Sequence, residues 1–136
     1  MSSISAIALS GLNAASLRLQ VSASNVANAQ STGALPNTNG TLPAGAPQAY
    51  APLEVVQSAS AGGGVQTSVT TVTPSTTTVF DPQASFANQD GLVAAPNVDL
   101  ASEFVGQLLA SYNYAANATV LKTDDRMMQS LLDITA

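Results

Sequence analysis

The seven prolines of this chain all fall between residues 36 and 96, which leaves both ends free of the residue that most reliably breaks a helix. Long helices can therefore form at the two ends, and irregular structure is confined to the middle. From about residue 3 to 29, Ile4, Ile7, Leu12, Leu19 and Val26 fall within one broad arc at 100° per residue, while Leu17 and Val21 point elsewhere. The pattern predicts a helix about 40 Å long, with Gly33 as its stop. Its intervening positions are Ser, Ala, Asn and Gln rather than Lys and Glu, so it has no clean polar face to turn toward water.

The C-terminal end carries the same message. At "PNVDLASEF", Asp99 is a good N-cap and Glu103 places acid in the first turns, where it favours the helix dipole. A helix from there to the chain end would span about 55 Å. Phe104, Val105, Leu108, Leu109, Tyr112, Val120, Leu121, Met127, Met128, Leu131, Leu132 and Ile134 recur at three- and four-residue steps and cover more than one face. Each end also holds a small pair one turn apart, Gly11 with Ala15 and Gly106 with Ala110. A mid-helix glycine costs about 1 kcal/mol relative to alanine, so each calls for a reason such as a close approach of another backbone, the alternative being an accident of an alanine-rich chain.

Between the ends, "GALPNTNGTLPAGAPQ" reads as an irregular, disordered segment. It is followed by β-rich pieces: "AYAPLEVVQ", "VQTSVTTV" and "TTTVF". Gly62-Gly63-Gly64 reads as a hairpin connection between the first two. The expected fold is mainly α with a small β subdomain: an N-terminal helix within 1–30, a Pro/Gly-rich loop and β subdomain over 31–97, and a C-terminal helix within 98–136. The two helices pair as an antiparallel coiled-coil hairpin.

Composition removes most functional classes. Eight acids against three bases give a net charge of −5, and Arg18, Lys122 and Arg126 form no patch that could neutralise a row of phosphates. Nucleic acid and anionic membrane surfaces are thus poor partners. With no cysteine and no histidine, neither a disulfide framework nor a thiolate or imidazole metal site is available, and the serines have no evident base. No catalytic, cofactor-binding or metal-binding residue is assigned, and no cofactor is expected. Asp124-Asp125 is the one adjacent carboxylate pair. Helix neighbours point about 100° apart, so it reads as a solvated face pairing with Lys122 or Arg126. The N-terminus carries no base before Arg18 and so lacks a general secretory signal. No run reaches the roughly 18 apolar residues of a membrane span. Asn39-Gly40-Thr41 and Asn117-Ala118-Thr119 match the glycosylation sequon, a pattern frequent by chance.

A helical hairpin that hides one stripe of each helix still leaves the other stripes exposed, and large exposed apolar surface marks an interaction site. If the same contact repeats by a rotation that does not close, it builds a helical tube. The residues expected at such a subunit interface are Ile4, Ile7, Gly11, Leu12, Ala15, Leu17, Leu19, Val21, Asn25, Val26 and Asn28 from the first helix. The second contributes Phe104, Val105, Leu108, Leu109, Tyr112, Tyr114, Asn117, Val120, Leu121, Met127, Met128, Leu131 and Leu132. For Asn25, Asn28 and Asn117 two readings stand: helix-end caps or solvated amides, and buried amides that fix register between helices.

"ALSGLNAASLRLQVSASNVANAQSTG" resembles the N-terminal signature of the bacterial flagellar rod and hook (axial) proteins, including Asn25-Val26-Ala27-Asn28. The stretch from Asn97 to Ile134 is similar to the matching C-terminal helix, with Tyr114 and Ala116-Asn117 where the family has an aromatic and Ala-Asn. Between them, Asp81-Pro82, Gly91 and Pro96-Asn97-Val98 look like a segment of the FlgC-type proximal rod proteins. Tyr112 departs from the family, which often has arginine there. The resemblance implies a torque-transmitting rod subunit, exported uncleaved by the flagellar type III apparatus and assembled in the periplasmic rod of the basal body. Its partners would be copies of itself, the other proximal rod proteins, the distal rod protein, the rod-to-ring adaptor and the membrane ring. The rival readings are another helical secretion or needle-type assembly and an adhesin-like binding module. A water-exposed adhesin stalk would carry more charge than these helices do.

Overall fold

The computed structural model describes residues 3–37 and 39–135. Met1, Ser2, Thr38 and Ala136, which the sequence assigns to the terminal helices and the central loop, lie outside the described residues. The elements run α1 (Ser3–Ala27), β1 (Leu53–Ala59), β2 (Val65–Thr71), β3 (Thr76–Phe80), β4 (Leu92–Pro96) and α2 (Leu100–Thr135).

α1 ends earlier than its glycine suggested. The Asn28 side chain donates to Ser24 O at 2.9 Å, and Ala29 N donates to Val26 O at 3.3 Å, so the last carbonyls are met by local donors. Gly33 is not the stop. It forms an isolated bridge with Ala94, donating and accepting at 2.9 Å. A β-carbon there would fall 2.6 Å from Pro47 O, so this glycine serves a close approach of backbones rather than a helix end. α2 begins as expected. Asp99 Oδ1 accepts from Ala101 N at 2.9 Å, Oδ2 accepts from the Ser102 hydroxyl at 2.9 Å, and Glu103 N donates to Asp99 O at 2.9 Å.

The two helices lie antiparallel along one another. Ser5 meets Asp124, Gly11 meets Asn117, Ser22 meets Gln107 and Asn25 meets Glu103, so one number falls as the other rises. The stripe they hide is not the large apolar one. Ala8, Ala15 and Ser22 recur every seven residues in the seam, with Gly11 and Asn25 each three residues beyond one of them; Glu103, Ala110, Asn117 and Asp124 recur every seven residues opposite. Small side chains let the backbones approach closely, and Ile4, Ile7 and Leu19 are left outside, each more than two-fifths exposed. The largest side chains buried completely are Val93, Asn25 and Pro52, so the core is small and built largely of alanine. α2 has 36 residues against 25 in α1, so its segment after Asp125 extends about 15 Å beyond Ser3.

The middle of the chain forms two separate antiparallel hairpins rather than one sheet. β1 and β2 pair from Leu53↔Thr71 to Ala59↔Val65. Their turn contains Gly63 and Gly64 at φ 85° and 83°, where a side chain would be strained. This hairpin packs on α1, whereas β3–β4 contacts neither helix among the described residues. β4 was not foreseen: "LVAAP" is an apolar run without alternation, buried between β3 on one edge and Gly33 on the other. A strand covered on both sides gives no period-two signal. The 34–47 segment is irregular, as expected, but its ends are tied together by Ala34 N donating to Pro47 O at 2.8 Å. Ala34 itself is buried.

Candidate assembly interface

Because the seam uses small residues, many of the large apolar side chains of both helices face outward. Phe104, Leu108 and Tyr112 stand four residues apart on α2 and are each more than half exposed; Val105 and Leu109 lie beside them. Farther along, Met127, Met128, Leu131 and Leu132 are at least half exposed. The chain presents 8858 Å² to solvent for a mass of 13.6 kDa, about a third more than the roughly 6,600 Å² of a compact monomer of that mass. An excess on this scale is comparable to the area an obligate interface covers.

Of the residues expected at a subunit interface, Ile4, Ile7, Leu19, Tyr114 and Val120 are also exposed. Gly11, Leu12, Leu17, Val21, Val26, Asn28, Asn117 and Leu121 are half-buried. Ala15 and Asn25 are buried within the protomer. Exposed apolar residues outside the expected set are Leu9, Leu100 and Ile134 on the helices and Val56, Val69, Val79 and Phe80 on the hairpins. Ile134 continues the four- and three-residue steps of Met127 and Leu131 and was legible from that spacing. The strand residues were not, because alternation does not reveal which face a neighbour covers.

The three asparagines separate by role. Asn25, 2% exposed, has a carboxamide with two donors and two acceptors used inside the chain. Asn28 caps the end of α1. The amide of Asn117 donates to Asn113 O at 2.8 Å and lies over Gly11, which accounts for that glycine. Gly106 has no comparable neighbour: a β-carbon there would meet nothing within 4 Å. Asp124 corrects the reading of the acidic pair. It is 7% exposed and accepts a hydrogen bond from Ser5, so it belongs to the seam rather than to a solvated face. Among the described residues no group of His, Cys, Asp or Glu is arranged to hold a metal ion, and no helix is long and apolar enough to cross a membrane.

A helical hairpin with a thin alanine seam and an apolar exterior has the form of a structural subunit rather than of a catalytic domain. Comparison with known proteins supplies the family. The model of the flagellar basal body rod FlgEFG protein C-terminal family matches residues 89–134. The flagellar basal-body rod protein FlgC of Yersinia enterocolitica is 38% identical over 134 residues, covering 94% of this chain and 92% of its own length. The FlgC of Salmonella typhimurium is 36% identical over 132 residues, with the same two coverages. That of Buchnera aphidicola from Acyrthosiphon pisum is 35% identical over 129 residues, covering 94% and 93%. The chain belongs to the FlgC family of flagellar basal-body rod proteins, and is a structural subunit of the basal-body rod.

Proposed function

We propose that this chain is a proximal rod subunit that assembles, with copies of itself and with the other rod proteins, through the outward faces of α1 and α2. The observation that carries this reading is the exposed stripe Phe104, Leu108 and Tyr112 on a helix whose small-residue face is already occupied. Burying one such side chain stabilises an interface by roughly 1.5–3 kcal/mol, so a handful per subunit is enough to drive association. Ile4, Ile7, Leu19, Val120, Met127, Met128 and Leu131 extend the contact surface, whereas Ala15 and Asn25 shape it from inside. In this division 1–30 and 98–136 form the assembling helical hairpin, and 31–97 forms the peripheral loop and β hairpins.

Interlocked helices sharing load over a large buried area would transmit motor torque from the membrane ring and its rod-to-ring adaptor to the distal rod and hook. The role is structural, without catalysis. A small core with no disulfide suits uncleaved passage through the flagellar type III export apparatus into the periplasm. The test is to delete the gene, image purified basal bodies by electron microscopy, and complement with wild-type and Leu108→Asp chains. Rings without rods, repaired by the wild type but not by Leu108→Asp, are expected. Complete rods in the deletion strain, or with Leu108→Asp as the only copy, would overturn the reading.

A further inference from the structure

β1–β2 runs along α1 and is fastened to it at both ends. At its base, Leu53 pairs with the side chain of Asn25 through both backbone groups: its N–H donates to Oδ1 at 3.0 Å, and its carbonyl accepts from Nδ2 at 2.8 Å. The carboxamide thus offers Leu53 the donor and acceptor that a neighbouring strand would. The remaining valences are filled by the Tyr50 hydroxyl, which donates to Oδ1 at 3.0 Å, and by Glu103 Oε1, which accepts from Nδ2 at 2.6 Å. At the hairpin tip, Val65 N donates to Ser10 Oγ at 3.1 Å while the Ser10 hydroxyl donates to Ile7 O at 2.7 Å. Gly64 leaves room for this contact, since a β-carbon there would fall 3.3 Å from Ser10 Cβ.

The two attachments match in length. From Ser10 to Asn25 the helix rises about 22 Å at 1.5 Å per residue, and the seven residues of β1 cover about 20 Å. We propose that Asn25 and Ser10 are positioning residues, a two-point clamp that holds the β1–β2 hairpin in one register along α1. Through Glu103 the same amide also ties in α2. The hairpin, with exposed Val56, then keeps a constant offset from the α2 stripe at Leu108 and Tyr112, and a neighbouring subunit meets one rigid surface. This inference rests on the proposed use of that stripe in assembly.

Amide hydrogen exchange on the purified chain tests the clamp. Asn25→Ala is expected to speed exchange at Leu53 on the order of fivefold or more, the loss of one net hydrogen bond, while Val65 stays protected. Ser10→Ala is expected to do the converse. The double variant should free both ends while the β1–β2 ladder persists. A conservative change should rescue: Ser10→Thr keeps an acceptor for Val65. Unchanged exchange at Leu53 in Asn25→Ala, release of both ends by either single change, or no protection at Leu53 and Val65 in the wild type would overturn the proposal. If Asn25→Ala fails to fold, the Ser10 pair still decides. In cells, fewer complete rods are expected with the double variant than with either single; an unchanged number also overturns it. Failure of the assembly reading would show instead as normal rods with Leu108→Asp, which leaves the exchange pattern untouched.

Discussion

The amide of Asn117 lies directly over Gly11: a β-carbon at position 11 would fall 2.6 Å from Asn117 Cγ and 2.7 Å from Nδ2. Moving Asn117 aside costs the hydrogen bond that the same amide donates to Asn113 O in its own helix. Gly11→Ala should therefore destabilise the chain by about 1–2 kcal/mol, overpacking exceeding the helix-propensity gain of alanine. Thermal unfolding followed by circular dichroism reads the change, and adding Asn117→Ala should recover most of it. A neutral Gly11→Ala would mean that the Asn117 side chain swings aside at little cost.

Gly106 gives the opposite expectation. Nothing lies within 4 Å of a β-carbon built there, so Gly106→Ala should stabilise the chain by about 0.5–1 kcal/mol through helix propensity alone. If the same change reduces the number of rods in cells, the close neighbour of Gly106 is another subunit.

Leu108→Asp and Leu131→Asp alter exposed positions. Each should shift stability of the isolated chain by no more than about 0.5 kcal/mol and leave expression intact, yet abolish swimming. A normally motile strain with either change would show that those faces are not covered in the rod.

Asp99 sets a pH dependence whose sign follows from its partners. The Ser102 hydroxyl, the Ser102 amide and the Ala101 amide hold its carboxyl below the ordinary aspartate value. A depressed folded-state value stabilises the fold above the unfolded pKa, and this contribution is lost as pH falls below 3.8 through the folded value. Asp99→Asn keeps a cap acceptor but does not titrate, so its acid-unfolding profile should lack that component. Superimposable profiles for the two chains would show that the cap does not titrate with folding.

The 34–47 loop is irregular between two fastened ends. Ala34 is buried and bonded to Pro47, so the tolerated cut lies inside those residues. Replacing 36–45 by a short Gly/Ser link should leave swimming nearly normal, because shortening a loop with pinned ends changes closure entropy only slightly. Gly33→Ala, which places a β-carbon 2.6 Å from Pro47 O, should be the more damaging change, read as lost protection of the Ala94 amide.

Local chemistry decided much of this fold before any packing was considered. The confinement of proline to the middle, the Asp99 cap and the Gly63-Gly64 turn all act within a few residues, so the sequence by itself determined two long terminal helices, a β1–β2 hairpin and an α1 whose one charged residue is Arg18. The large apolar residues of α2 were also legible as more than one periodic face. Which stripe the helices share was decided only in tertiary structure. Close approach selects small side chains, so Ala8, Gly11, Ala15 and Ala110 entered the seam, and the residues of strongest hydrophobic signal stayed outside. The bridge at Gly33, which covers the second edge of β4, depends on a contact between segments about sixty residues apart, and Asp124 and Asn25 became buried because of partners outside their own helix. A periodic pattern records how apolar a face is, whereas the distance at which two backbones meet is set by the smallest residues between them.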